Sequence, residues 1–265
     1  MRRPALTGAT RNVLLAGLVL SAVVPFALLG VWSVGRTWFY PALWPSALTG
    51  ESWAQLAAGD LGTAGLRSVA LGAGTAALGT AVGLPVGRAL ARLRGWRRRL
   101  GAALAFLPVA APPLALGVGV QYFFLRLGLG GTLPGVLLAH LVPAAGYLAL
   151  YFLGVFAAHD PVAEEAARTL GATPRQAFWR VTLPALRRQI AEAAALGFLV
   201  SWAQVALTLV VGGGLVRTLP TDVFSYVRSG QDRYAAAGAL LLSVPPLLAL
   251  AAARVSARRA AVPTL

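Results

Sequence analysis

The residues best placed to do chemistry lie between Asp160 and Pro184, in the segment DPVAEEAARTLGATPRQAFWRVTLP. Asp160 is a good helix N-cap and Pro161 a good first helical residue. Val162, Ala166 and Leu170 recur at four-residue spacing on one face, with Ala163 and Ala167 beside them. Gly171 follows where a helix end favours a residue free to take positive φ. Thr173 then caps a second helix, with Pro174 at its first position and Gln176 completing a capping box. Phe178 and Trp179 give that helix a large apolar surface, and Pro184 ends the unit. Two short helices joined by a tight glycine turn form a rigid knob. Its chemistry is recognition of a partner protein, not catalysis.

Catalysis finds little support elsewhere. Cysteine is absent, which excludes a disulfide framework, thiolate metal sites and cysteine nucleophiles. There is no lysine, so no P-loop can reach a terminal phosphate and the chain cannot hydrolyse ATP in the conventional way. Gly72 and Gly74 follow no strand and precede no suitably placed acidic residue, so they make no dinucleotide fingerprint. No Ser/His/Asp arrangement or carboxylate pair is present. His140 reads as a packed, hydrogen-bonded histidine, because no second ligand lies at metal-binding spacing; His159 reads as solvated. The remaining polar candidates are Ser201, Gln204 and Thr208, which share one helical face, and more weakly Gln121 and Tyr122. Polar groups in hydrocarbon turn toward the bundle or a wet cavity, so these five either line a pathway or bond helix to helix.

Composition identifies the medium that must position these groups. Of 265 residues 58% are hydrophobic and 12% charged, too little polarity for a soluble domain of this size. Six uncharged runs of about 20 residues or more can cross the hydrocarbon core as helices. They are 13–32, 68–87, 100–125, 132–158, 193–216 and 234–253. The first resembles a signal peptide only in position; its length and flanks read as a retained anchor. All 23 basic residues are arginine, and 17 fall on the side that holds both termini and the loops after the second and fourth runs. That side is therefore expected to be cytoplasmic. The net charge of +15 is thus explained by the bilayer, without invoking nucleic acid. A DNA-reading helix-turn-helix at 160–184 is implausible with membrane runs on both sides.

Within the runs, Gly79, Gly83 and Gly87 form a smooth stripe for close helix approach, read as packing inside one bundle in preference to a subunit interface. Pro108, Pro112 and Pro113 are expected to interrupt the third run and Pro143 the fourth. Trp38, Phe39, Tyr40, Trp44 and Trp53 in the outer segment 35–66 suit either the headgroup layer or a small folded loop.

The 160–184 segment resembles the EAA loop of binding-protein-dependent ABC permeases: Glu-Ala-Ala, three residues, Gly, nine residues, Ile or Val, one residue, Leu-Pro. Here these are Glu165, Ala166, Ala167, Gly171, Val181, Leu183 and Pro184, with every gap at the family length. The resemblance covers roughly 60–255 and implies an all-α integral membrane protein of the type I importer (MetI-like) fold, with six transmembrane helices in one domain over 1–265. It assigns ATPase coupling to Glu164, Glu165, Ala166, Ala167, Gly171, Ala172, Thr173, Pro174, Phe178, Leu183 and Pro184. In particular Glu165 would orient the loop through polar contacts, Gly171 would make the turn, and Ala172–Phe178 would sit in a groove of the ATPase. The implied protein is a non-catalytic permease subunit in the bacterial inner membrane, without cofactor or metal. Its implied partners are ABC ATPase subunits, a second permease (itself or a homologue) and an extracytoplasmic binding protein. The stretch SWAQVALTLVVGGGLVRTLP resembles permeases of the polyamine, iron and thiamine group. Some polyamine members carry acidic residues near Gln204, and this chain does not, so the resemblance leaves the substrate open among polyamine, iron, thiamine and others. An ion-gradient transporter would place ionisable groups near mid-membrane, where this chain has only His140. A non-transporting assembly or sensor protein would not require the loop pattern.

Overall fold

A computed structural model describes residues 8–38, 41–59 and 61–260, leaving out the side chains of Gly8, Leu250 and 252–260. Arg2, Arg3, Phe39 and Tyr40 therefore lie outside the described residues, as do the side chains of Arg254, Arg258 and Arg259. The described chain is helical: α1 (Gly8–Val34), α2 (Glu51–Ala58), α3 (Leu61–Arg92), α4 (Gly95–Ala110), α5 (Pro113–Arg126), α6 (Leu133–Ala158), α7 (Val162–Thr169), α8 (Pro174–Ala177), a π-turn (Phe178–Thr182), α9 (Leu183–Ala185), α10 (Arg187–Trp202), α11 (Val205–Gly212), α12 (Leu219–Arg228) and α13 (Asp232–Ala260).

Three of these helices, α1, α3 and α6, are long and apolar enough to cross a membrane unbroken. The run at 100–125 is broken, as expected from Pro112 and Pro113 though not at Pro108, which lies inside α4, and the run at 193–216 is broken as well. Helices α4 and α5 meet at 94°, and α10 and α11 at 59°. The first break falls at Ala111 and Pro112; a proline cannot donate its missing N–H, and the residue before it is pushed out of helical conformation. Pro143 behaves otherwise. It lies buried inside continuous α6, so the expected interruption of that run does not occur. Membrane helices tolerate such prolines where neighbouring helices pack around the freed carbonyl. The sixth expected run lies within α13.

The chain divides into two compact units, Met1–Gly62 with Asp222–Val244, and Thr63–Thr221 with Pro245–Leu265. In the first, Gly35 bridges to Leu48 in antiparallel fashion, and Trp53 donates from Nε1 to Ser33 Oγ at 3.2 Å. Buried Ser52 and Leu56 seat α2. Arg233 reaches Glu51 at 3.6 Å, and Tyr234 hydrogen-bonds Gln55. The outer segment is thus a small folded loop that still leaves Trp44 exposed.

In the second unit α6 is the hub, packed by α4, α10 and α11, and α11 also packs on α5. One core gathers Leu71, Val136, Ala139, Val211 and Val216; another gathers Leu148, Phe152 and Ala193. The glycine stripe of α3 faces α6. A Cβ at Gly83 would lie 2.6 Å from Leu148 Cβ and 2.9 Å from its backbone carbon; one at Gly87 would lie 2.7 Å from Leu153 N. The stripe therefore serves packing inside the unit, because backbone itself occupies the space that a side chain would need.

Candidate functional site

Local sequence builds the 160–184 loop largely as its capping residues dictate. Asp160 Oδ1 accepts from Val162 N at 3.1 Å, and Pro161 occupies the cap position, one residue before the first helical residue of α7. The helix closes at Leu170, and Gly171 turns the chain at φ +93°, a conformation that suits glycine because it lacks a Cβ. Thr173 and Gln176 then form the complete reciprocal capping box, with Gln176 N bonded to Thr173 Oγ1 and Thr173 N to Gln176 Oε1.

Beyond Ala177 the loop departs from the expected regular second helix. Phe178–Thr182 widens into a π-turn, and Leu183 N bonds back five residues to Phe178 O. Pro184 is the reason. It has no N–H for the carbonyl four residues earlier and its ring would collide with that carbonyl, and the wider turn relieves the conflict. Pro184 consequently does not terminate the unit but lies inside the short helix α9, leading through Leu186 into α10.

The loop is pinned to the membrane helices by Glu164. Arg88 Nη2 at the end of α3 meets Glu164 Oε1 at 2.6 Å, with the two side chains 19% and 14% exposed. Thr182, buried in the π-turn, donates to Glu164 Oε2 at 2.6 Å. The Arg88 guanidinium also lies 4.1 Å from the Phe178 ring centroid, within cation–π range. Burial pushes the Glu164 carboxyl up, but the Thr182 hydroxyl and the charges of Arg88 and Arg92 outweigh it and hold the group below the ordinary carboxylate range. The polar anchoring expected of Glu165 thus falls one residue earlier. Glu165 instead lines a pocket of about 270 Å³ with Arg92, His159 and Arg168, so His159 is half-buried there.

Of the other loop residues, Ala166, Thr173, Pro174 and Pro184 are exposed, while Ala167, Ala172 and Leu183 are half-buried. Phe178 turns inward beneath Arg88, leaving Val162, Leu170 and Trp179, 64%, 90% and 58% exposed, as the large apolar groups presented outward. Sequence reasoning named Arg88 only as a boundary charge. Its position at the end of an apolar run was the signal available.

The polar residues of the fifth run converge on His140. His140 is buried, with Nδ1 2.8 Å from Ser201 Oγ and Nε2 2.9 Å from Thr208 Oγ1. Thr208 donates its own proton to Gln204 O at 2.6 Å, so its oxygen must accept from His140 Nε2–H. Nδ1 then accepts from Ser201, which makes a directed chain Ser201 to His140 to Thr208 to Gln204. It ties α6 to both halves of the broken span. A cavity of about 10 Å³ adjoins it, lined also by Ser68, Leu71, Trp202, Gln204, Thr218 and Pro220, with room for about one water. Ser201 and Thr208 therefore make the interhelical hydrogen bonds that were one of the two readings. Gln121 is half-buried with Oε1 lacking a partner, and Tyr122 is exposed beneath Arg126 at 4.6 Å; neither joins this cluster.

Comparison with known proteins gives a consistent set of relatives. Residues 81–262 match the family model described as binding-protein-dependent transport system inner membrane component. The molybdenum transport system permease protein ModB of Mycobacterium tuberculosis is 32% identical over 213 residues, covering 75% of this chain and 81% of its own. The putrescine transport system permease protein PotI of Escherichia coli is 31% identical over 129 residues, covering 46% of each chain. A chain from the crystal structure of a bacterial alginate ABC transporter, in complex with alginate pentasaccharide-bound periplasmic protein, superposes with a TM-score of 0.69. The identity there is 15%, over 94% of this chain and 95% of that one.

Proposed function

This chain belongs to the family of binding-protein-dependent transport system inner membrane components, the permease subunits of bacterial ABC importers, and on that premise we propose that its 160–184 loop is the element through which ATP hydrolysis on a partner drives transport. The permease is a multi-pass inner-membrane protein and catalyses no chemistry of its own. In this reading residues 1–265 act as one permease domain of six spans with both termini in the cytoplasm. It pairs with a second permease, two ATPase subunits and an extracytoplasmic binding protein. The ATP needed is bound by the ATPase subunits.

One observation carries the reading. The loop is a capped, glycine-turned unit that holds Leu170 and Trp179 outward while Glu164 fastens it to Arg88 of α3. A knob that is fixed at its base and apolar at its tip can pass a push from a soluble partner into a membrane helix. Glu165, Ala166, Ala167, Gly171, Ala172, Thr173 and Pro174 form the docking surface, and Phe178, Leu183 and Pro184 its packed base. Ser201 and Thr208 hold the broken fifth span, and Gln121, Tyr122 and Gln204 are proposed to meet the solute pathway.

The test is a Glu165→Ala, Gly171→Leu double variant in the assembled transporter. It should insert in the membrane and leave the binding protein's ligand affinity unchanged, while transport and ATPase copurification are lost. Transport at the normal rate would remove the loop from the coupling role. Topology is checked separately: reporter fusions at Ser46 and Arg228 should read outside, and those at Gly95 and Thr173 inside.

A further inference from the structure

The pocket beside the loop has a lining of three arginines and two glutamates. It lies at the ends of α3 and α6, where the apolar runs stop, and α7 closes it. Its volume is about 270 Å³. Arg88 is already committed to Glu164 and to the Phe178 ring. Arg92 acts on Glu164 through its charge alone, and both Arg92 and Arg168 are exposed; among the described residues neither makes a hydrogen bond or close ion pair. Half-buried His159 adds another potential donor, and Ala91, Phe156 and Pro161 supply an apolar wall. One carboxylate in the lining, Glu165, opposes an anion; the other, Glu164, is neutralised by Arg88.

Three guanidiniums against two carboxylates in the lining leave an excess of positive charge, and two of the three have no hydrogen-bonded partner among the described residues. Arginine's planar fork suits phosphate oxygens, and basic pockets at the inner ends of membrane helices take lipid headgroups. We propose that Arg92 and Arg168 hold a phosphate group, that of an anionic phospholipid headgroup or a free phosphate, between the membrane helices and α7. An occupied pocket ties the loop to the inner leaflet, so loop docking responds to the lipid around it. The inference rests on the cytoplasmic placement proposed above, but its readout is ligand retention and is independent of transport.

The test uses the full permease in detergent, alone and with its ATPase subunit, in native mass spectrometry. Phosphatidylglycerol and phosphatidylcholine with the same acyl chains are the probes, and inorganic phosphate is the competitor. The wild type should retain phosphatidylglycerol preferentially. Arg92→Gln, Arg168→Gln should lower that retention about twenty-five-fold, since each arginine near an anionic surface contributes about fivefold. Glu165→Gln should raise it. Displacement by millimolar phosphate, with direct phosphate binding, would identify a free anion as the source and support the same site. Equal retention of both lipids, an unchanged preference in the double variant, or loss of retention once the ATPase subunit is bound would each overturn the proposal.

Discussion

Glu164→Gln is the sharpest probe of how the loop is held. The wild-type carboxylate accepts two short hydrogen bonds, from Arg88 and Thr182, each at 2.6 Å, and is only 14% exposed. A hydrogen bond to a charged group contributes about 1.5–3 kcal/mol, and glutamine keeps an acceptor for one donor while losing the charge that Arg88 faces. The expected loss is therefore about 2 kcal/mol of loop docking, which raises the open population about thirtyfold. Amide hydrogen exchange over 178–186 reads this directly, because local opening sets the exchange rate when reclosing is fast. An Arg88→Gln, Glu164→Gln cycle isolates the pair, which should couple by more than about 1 kcal/mol. Exchange within twofold of wild type, or no coupling in the cycle, would refute the argument that this ion pair is the anchor.

Further outcomes follow from the same geometry. Because folding lowers the Glu164 carboxyl, its contribution is full above the unfolded value of about 4.3 and is lost as pH falls through the lower folded value; exchange over 178–186, corrected for intrinsic chemistry, should rise only in that acid window, and Glu164→Gln should flatten it. Gly87→Ala places a methyl 2.5 Å from Phe152 Cβ and 2.7 Å from Leu153 N, so melting of the purified protein should show a loss of about 1–3 kcal/mol. Gly62→Ala, with nothing within 4 Å, should cost nothing measurable in the same assay. His140→Ala removes bonds to Ser201 and Thr208 and should destabilise by about 2–4 kcal/mol, with His140→Gln intermediate. Equal melting of the Ala variant and wild type would show that the polar chain is dispensable.

How much of this was legible in the sequence varies with the physics of each element. Capping is local, so Thr173, Gln176 and Gly171 announced their geometry through residue type alone. Apolar runs likewise marked where helices lie, and Pro112–Pro113 marked one break. The break at Ala203 and Gln204 had no such sign. It contains neither glycine nor proline, and it is held by His140 from a helix about sixty residues away in the chain. The transfer of anchoring from Glu165 to Glu164 was also hidden, because it depends on where Arg88 and Thr182 arrive in space. Pro184 misled in the same way. Proline usually stops a helix, but five residues of π-turn before it absorbed the conflict.

The glycine stripe gives α3 a mechanical property beyond close packing. At Gly83 and Gly87 its backbone is keyed against that of α6, so the two helices cannot slide or roll past each other without collision. The two helices are in close backbone contact there, although Pro85 lies within α3 between the two glycines, and Glu164 holds α3 near its end through Arg88. That helix is long, at 32 residues. At 1.5 Å rise per residue it measures about 48 Å, so a tilt of about 5° imposed at the loop would carry the far end about 4 Å, roughly one methylene-lined layer of the opposite leaflet. In the coupling role proposed for the loop, a small displacement at the knob would thus be enlarged along the length of α3.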